Sequence, residues 1–310
     1  MPTVVALTGA TGFIGQHVTR RLLAVGFQVK ALKRSQAKAK ALEGLLQKEG
    51  LTKGLTWISG DLSDPCALDL LFEGADYIVH LAGAIRGGFE TLGEVNIKGF
   101  WHLLAAWRSE VPFLYVSSLA ARHPYLSPYA ATKRAAEDFL KDLNAPWTIF
   151  RPPAVYGPGD RELLPLIRLM EKGIVPVFGA PHHRFSLIHV SDLAEAIVCW
   201  LANPQEKKLY ELHDGKPGGY SWEEIAEIVS RLRKKPVITL RLPKRPFLSL
   251  AWANLHLARL FKYQAMLTPG KIHELFHHHW VCDNTPIEKD LGWKPRLDLE
   301  KGLRDLMRKV

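Results

Sequence analysis

Short apolar runs bounded by Gly, Pro and polar residues predict strands at 3–8, 28–33, 55–59, 76–81, 112–117 and 146–151. Between them, apolar residues recur every three to four positions, predicting helices over 13–25, 35–48, 64–73, 90–108 and 128–143. Strands and helices in strict turn imply right-handed βαβ crossovers, hence an α/β fold with a doubly wound parallel sheet. After Arg151 the texture changes: Pro152, Pro153, Gly157, Pro158 and Gly159 break regular structure, and the later segments are helical and less evenly interleaved. The pattern predicts a sheet domain over 1–151 and 187–203 and a smaller, mostly helical lobe over 152–186 and 204–310. The return to the first domain runs through Ser186-Leu187-Ile188-His189-Val190 into an apolar helix over 192–202, with Ser191 or Asp192 as its cap.

A chain of 310 residues buries a substantial core. Its 41 Lys and Arg against 31 Asp and Glu give a formal charge of +10, which suits anionic substrates, nucleotides or an acidic membrane surface without selecting among them. There is no low-complexity basic tail, and nucleic acid is not an expected partner. Cys66, Cys199 and Cys282 are odd in number and far apart, which speaks against a disulfide framework and for small core residues in a reducing compartment. The chain enters a strand at once, without a charged leader and cleavage site, so the expected location is cytoplasmic.

The first strand runs directly into Thr8-Gly9-Ala10-Thr11-Gly12-Phe13-Ile14-Gly15 and then a helix. Glycine there lets the backbone turn tightly and approach a pyrophosphate, which the N–H groups and dipole of the following helix attract. Gly9, Thr11, Gly12, Phe13, Ile14 and Gly15 are therefore candidate dinucleotide contacts. A site for a free ribose 2′-hydroxyl wants an acid at the end of the second strand, but no Asp or Glu occurs from Met1 to Leu42; Lys33 and Arg34 stand there instead. That cationic end suits a 2′-phosphate, so NADP(H) is expected over NAD(H), the other reading being a solvated basic turn.

Tyr129 and Lys133 are four residues apart and share one face of the predicted helix 128–143. An ammonium beside a phenol favours phenolate, fitting the tyrosine for proton transfer to a carbonyl or from an alcohol. Ser117-Ser118 ends the preceding strand, at the sheet edge where ligands of open α/β folds bind.

With these residues in place, the chain resembles an extended or atypical short-chain dehydrogenase/reductase of the NAD(P)-dependent epimerase/dehydratase-like kind. The resemblance spans nearly the whole sequence. It includes the glycine turn 9–15, Gly60-Asp61-Leu62, His80-Leu81-Ala82-Gly83, Val95-Asn96-Ile97, Ser117-Ser118 and Tyr129–Lys133, and continues through Arg151–Gly159, Ile188–Asp192 and Leu291-Gly292-Trp293-Lys294-Pro295. It implies Tyr129 as acid/base, Lys133 as the group that binds nicotinamide ribose and lowers the tyrosine pKa, and Ser118, with Ser117 as the alternative, on the substrate oxygen. Asp61 and Leu62 would flank adenine, and Leu81, Ala82, Gly83 and Pro152 would line the cofactor. Asn96 would support the site or serve as a local hydrogen-bonder. Arg86, Tyr156, Arg161 and Arg184 would face the substrate, Arg161 and Arg184 having surface ion pairs as their other reading.

Only ten residues separate Ser118 from Tyr129, where sugar-nucleotide members commonly insert a longer loop. Together with the cationic second strand this favours hydride transfer to or from a carbonyl or alcohol over epimerisation. The apolar segment Pro246–Phe261 is too short and interrupted for a membrane span and reads as a packed helix of the small lobe. A similar segment occurs in members handling sterol-like or flavonoid-like carbonyls, so an apolar small-molecule substrate, with peripheral membrane contact, is the expectation. A nucleotide-sugar epimerase or dehydratase, holding a diphosphate through Arg151, Arg161 and Arg184, is the runner-up; a non-catalytic cofactor-binding subunit or scaffold is the third class, against which intact Ser118, Tyr129 and Lys133 speak. His273-Glu274-Leu275-Phe276-His277 matches HExxH but reads as incidental, and no metal is expected. Helices 90–108 and 128–143 are a candidate homodimer face, with Trp101, Leu104 and Trp107 as interface or core.

Overall fold

The computed structural model describes residues 2–261, 263, 265 and 267–307, with Arg259 as backbone alone. Strand β1 (Val4–Thr8), helix α1 (Phe13–Ala24), β2 (Gln28–Lys33), α2 (Gln36–Lys48), β3 (Leu55–Ser59), α3 (Pro65–Phe72) and β4 (Tyr77–His80) follow the predicted alternation. The predicted helix 90–108 is three pieces: α4 (Phe89–Gly93), a π turn over Glu94–Lys98 and α5 (Gly99–Ala106). The widened turn places Asn96 in the interior, a common use of such a bulge at a functional site. Then come β5 (Phe113–Val116), a 3₁₀ turn over Leu119–Arg122, α6 (Pro128–Lys141), β6 (Trp147–Arg151), β7 (Ala154–Tyr156), α7 (Leu164–Glu171), β8 (Ile174–Phe178), β9 (Arg184–Phe185) and β10 (Leu187–His189).

Helix α8 (Val190–Ala202) lies on α1, its Leu193, Ala194, Ile197 and Trp200 entering the core that Val5, Leu7, Val18 and Leu22 build on one side of the sheet. Its N-cap is neither Ser191 nor Asp192: His189 Nδ1 accepts from Ser191 N at 3.3 Å. Asp192 is buried and accepts from Arg296 N and Leu297 N at 3.1 and 3.0 Å, tying the C-terminal segment to the first domain.

The central sheet has seven strands in the order β11-β6-β5-β4-β1-β2-β3, with β11 (Lys208–Glu211) parallel to β6. Residues 208–211, assigned on sequence to the second lobe, thus close this sheet. Ile287 and Trp293, from the same half of the chain, are likewise buried in the first domain's core. The strand order reverses between β1 and β4, paired in parallel with Thr8 opposite His80. Such a switch point opens a crevice at the carboxyl ends of the strands. On the other face Leu68, Leu71, Phe100, Phe113, Tyr115 and Leu140 pack together. Trp107 belongs to that core while Trp101 is exposed, and Cys66, expected inside, is also exposed.

The second lobe has its own core around Val175, Val177, Trp222, Ile225 and Ile272. It comprises α7–β8, α9 (Trp222–Arg233), β12 (Ile238–Leu242) parallel to β8, α10 (Lys244–Phe261), α11 (Pro269–Leu275), β13 (His279–Trp280) beside β9, and α13 (Leu299–Met307), with α12 (Thr285–Leu291) preceding the last.

Candidate active site

The turn after β1 is wound so closely that Gly9 and Gly15 are sterically required. Gly12 N donates to Gly9 O at 2.9 Å, and a Cβ on Gly15 would stand 2.0 Å from that carbonyl. Gly9 has φ +76°, and a Cβ there would strike Ala82 N and Leu81 C at 2.6 and 2.8 Å. The β1 turn and the Leu81–Gly83 segment after β4 are therefore in contact at the switch point. Thr8 Oγ1 fastens them, 2.7 Å from His80 Nδ1 and accepting from Ala82 N at 3.3 Å. Burial drives the His80 pKa down to about 3, so this ring is neutral. Helix α1 begins at Gly12 with no side-chain cap and no acid in its first turn, leaving its first N–H groups for an anion. Thr11 holds the turn by accepting from Gln16 Nε2 at 3.1 Å, Ile14 packs on the core, and Phe13 approaches Gly159 from the second lobe.

Beyond the end of β2 lies a cavity of ≈ 250 Å³ lined by Lys33, Arg34, Gln36, Ser59, Gly60 and Asp61. Lys33 Nζ is 6.0 Å from the centre of the Trp57 ring. Asp61 turns its Oδ1 to Ser63 N and Oγ at 2.8 and 2.6 Å, bonds that hold its carboxyl below the usual range, aided by Arg34. Leu62 packs against Gly99 in the helix opposite. An acid-free glycine turn and an uncapped helix start in one crevice fit the pyrophosphate of a dinucleotide.

The residues expected to transfer the proton lie at the same edge. Ser127 caps α6, accepting from Ala130 N at 2.9 Å, and Pro128 opens its first turn, which sets Tyr129 at the helix start. Ser118, at the end of β5, accepts from Ala120 N at 3.2 Å; the next residue, Leu119, donates its N–H to Pro152 O at 2.8 Å. Lys133 is buried, its Nζ donating to Val116 O at 3.0 Å and lying 4.5 Å from the centre of the Tyr115 ring. A Cβ on Gly83 would sit 3.8 Å from that Nζ and 3.3 Å from Asn96 Oδ1, so the cofactor crevice and the proton-transfer set meet at Gly83. Asn96 accepts from Ala84 N at 2.7 Å and donates to Ala84 O and Thr132 Oγ1, clamping that segment to α6.

Electrostatically the pair departs from the sequence-based expectation. Burial pushes the Tyr129 phenol up to about 12, with the Ser118 hydroxyl pulling the other way and the Glu274 and Glu162 charges adding to the rise. Burial pushes Lys133 down to about 7 against the opposing charge of Glu137. Desolvation of both groups outweighs any lowering of the phenol by the ammonium, so at neutral pH the Tyr129 phenol is protonated.

Sequence reasoning missed Glu137 and read Glu274 only as part of an incidental HExxH run. Glu137, on the face of α6 that carries Lys133, is fully buried and accepts from Ser117 Oγ at 2.6 Å, Arg151 Nε at 2.8 Å, Arg151 Nη2 and Lys141 Nζ at 3.3 Å. Its i+4 offset from Lys133 was the available signal. Ser117 is thereby engaged inside, which leaves Ser118 facing the crevice. Glu274 accepts from Ser127 Oγ, bracing the cap of the tyrosine helix. Helix α11 ends at Leu275, so His277 of the HExxH run lies beyond it, its ring 4.5 and 4.8 Å from those of His123 and Trp280.

The proposed substrate contacts are largely redirected. Tyr156 is buried beneath α13, its OH donating to Asp298 O at 3.4 Å and filling the space beside Gly302. Arg184 donates Nε to Gly218 O at 2.6 Å and Nη2 to Gly219 O and Glu224 at 2.7 and 3.1 Å. Arg86 pairs with Glu162, joining the segment after β4 to the second lobe. Arg151 is buried on Glu137, and Arg161 is exposed. These are consequences of tertiary pairing that no local spacing reveals.

Comparison with known proteins agrees with this architecture. Residues 5–212 match the model of the NAD dependent epimerase/dehydratase family. The chain is 35% identical to a ceramide reductase of Caulobacter vibrioides, over 94% of this chain and 90% of that one. It is 26% identical to a 2-alkyl-3-oxoalkanoate reductase of Stenotrophomonas maltophilia, covering 97% and 98%. The UDP-glucuronic acid 4-epimerase of Bacillus cereus, solved with NAD, shares the fold with a TM-score of 0.74 at 20% identity over 99% of both chains. On this evidence the chain belongs to the NAD dependent epimerase/dehydratase family, within the extended short-chain dehydrogenases/reductases, and is an enzyme.

Proposed function

We propose that this enzyme is an NADP(H)-dependent reductase of an apolar, lipid-like carbonyl compound. The observation that carries the cofactor choice is the cavity beyond β2, where Lys33 and Arg34 stand and the one lining carboxylate, Asp61, has its Oδ1 held by Ser63. Bound there, NADPH would supply the hydride. Gly9, Gly12 and the start of α1 would hold its pyrophosphate, Lys33 and Arg34 its 2′-phosphate, and Lys133 its nicotinamide ribose. Ser118 then fixes the substrate oxygen, and Tyr129, protonated at neutral pH, delivers the proton to it.

Two observations support an apolar substrate. The relatives named ceramide reductase and 2-alkyl-3-oxoalkanoate reductase act, by those names, on a ceramide and on an alkyl-substituted oxoalkanoate. In addition, two of the three guanidinium groups expected to hold a sugar diphosphate are committed elsewhere, Arg151 to Glu137 and Arg184 to Gly218, Gly219 and Glu224, which leaves Arg161 alone.

Titration of nicotinamide fluorescence tests the cofactor reading. Wild type is expected to bind NADPH more tightly than NADH, and Lys33→Ala with Arg34→Ala to weaken NADPH by about 10- to 100-fold while NADH changes by less than about threefold. Equal losses for both cofactors would contradict it. The high phenol pKa also sets a sign for pH dependence. At saturating NADPH, so that titration of Lys133 near 7 does not limit cofactor binding, a donor still protonated across about pH 7 to 9 leaves reduction level there, whereas the reverse oxidation needs phenolate and rises up to about tenfold per pH unit. Initial rates in both directions check this, and a pH-independent oxidation would remove Tyr129 as the proton carrier.

A further inference from the structure

Residues 228–273 contain ten Lys and Arg and no Asp or Glu. The rest of the chain holds 31 basic and 31 acidic side chains, so this one stretch carries the entire formal excess of +10. It also carries an unusual apolar surface. On β12, Ile238 and Leu240 are alternate residues and so share one face of the strand. On α10, Pro246, Leu250, Ala253, Leu257 and Leu260 recur at steps of three and four, with Phe261 beside them, and form one stripe. Ile238, Leu240, Leu250, Leu257, Leu260 and Phe261 are each between 48 and 72% exposed. The opposite side of α10 is the one the fold uses: Ala251 and Ala258 are buried, and Phe247 and Leu248 pack against the second-lobe core.

Most of the described cations of this stretch are not paired with carboxylates. Arg231 pairs with Glu300, and Arg233 donates to Glu171 O and Pro236 O. Lys234, Lys235, Arg241, Lys244 and Arg245 are exposed and, among the described residues, have no acidic partner. An exposed stripe of Leu and Phe, in a segment whose exposed cations at 234, 235, 241, 244 and 245 have no acidic partner among the described residues, is complementary to a bilayer of anionic phospholipid, where apolar side chains enter the acyl boundary and ammonium and guanidinium groups meet phosphate. No helix among the described residues is long and apolar enough to cross a membrane, so α10 would lie along the surface.

We propose that β12 and α10 form a docking face for membranes containing anionic phospholipid. The face is one helix away from the tyrosine. Asn254 Nδ2 donates to Leu267 O at 2.8 Å ahead of α11, Gly270 of α11 packs so tightly on Ser127 that a Cβ would come within 2.7 Å, and Glu274 accepts from Ser127 Oγ. A bilayer-dissolved ketone would thus meet the protein beside the helix that carries Tyr129. That last step rests on the proposed reductase reading; docking itself does not.

Co-sedimentation of the full chain with phosphatidylcholine vesicles, with and without phosphatidylglycerol, tests the docking without any turnover. Binding is expected only with phosphatidylglycerol, weakening several-fold as salt rises to about 0.15 M. Two variants separate the contributions: Leu250→Ser, Leu257→Ser, Leu260→Ser and Phe261→Ser together, and Lys234→Glu, Lys235→Glu, Arg241→Glu, Lys244→Glu and Arg245→Glu together. Each is expected to lower vesicle affinity by at least about tenfold while binding NADPH as wild type does. No sedimentation with phosphatidylglycerol vesicles at low salt would overturn the proposal, as would equal binding by both variants. So would a dimer in light scattering that the serine variant abolishes while vesicle binding is absent, because the face would then belong to a second copy.

Discussion

Tyr129→Phe is expected to lower carbonyl reduction by about 10²- to 10⁴-fold while changing NADPH affinity by less than about twofold. The substitution removes one oxygen from a side chain whose position is set by its neighbours. Ser127 caps the helix start, Glu274 braces Ser127, and Asn96 ties Thr132 to the Ala84 backbone. None of those contacts involves the phenol, so the ring and the cofactor crevice stay in place and the proton donor alone is lost. Single-turnover reduction, read beside a nicotinamide titration of the same variant, separates the two effects. A variant that reduces as fast as wild type would show that another group delivers the proton. One that fails to bind NADPH would show that the phenol is part of the cofactor site.

Glu137→Ala is expected to destabilise the fold by about 3–5 kcal/mol, measured by urea unfolding. Burial pushes this carboxyl up, but the Arg151 guanidinium, the Ser117 hydroxyl and Lys141 together hold it below its ordinary value, so it is ionised at neutral pH. Removing it leaves Arg151, itself buried, without a counter-charge between β6 and α6, and leaves Lys133 without the one charge that opposes its desolvation. The sign with pH follows: a carboxyl depressed in the folded state stabilises above its unfolded pKa, and that contribution is lost as pH falls through the lower folded value. The wild-type advantage over Glu137→Ala therefore shrinks in acid. A variant as stable as wild type at pH 7 would mean that Arg151 finds water or another acceptor and that the pair is not a structural element.

The parts legible in the sequence were local. Gly9, Gly12 and Gly15 follow a strand and precede a helix, and Tyr129 and Lys133 share a helix face; periodicity along one stretch of chain is enough to show either. The strand–helix alternation of the first domain could be read for the same reason. What escaped depends on partners remote in sequence. The four residues of β11 form a strand because β6, about sixty residues earlier, offers an unpaired edge. The π turn at Glu94–Lys98 interrupts what reads as one helix, and Asn96 within it bonds Ala84 and Thr132. Arg184 and Arg86 read locally as ligand cations, whereas the bonds they make to Gly218 and Glu162, like the C-terminal helix that covers Tyr156, involve residues remote in sequence. Charge sign is visible in a sequence, whereas charge pairing is a property of the packed molecule. The same holds for the phenol, whose expected lowering by Lys133 is overridden by burial.

The most direct test of the reductase reading is hydride transfer itself: NADPH deuterated at the transferred position is incubated with the enzyme and a detergent-dispersed long-chain ketone, and the products are examined by mass spectrometry. The account predicts deuterium on the carbinol carbon of a new alcohol, with NADPH consumed in equal amount and NADH a poor substitute. No transfer to any apolar ketone, together with interconversion of a UDP-sugar on retained NAD, would contradict it and return the enzyme to epimerisation.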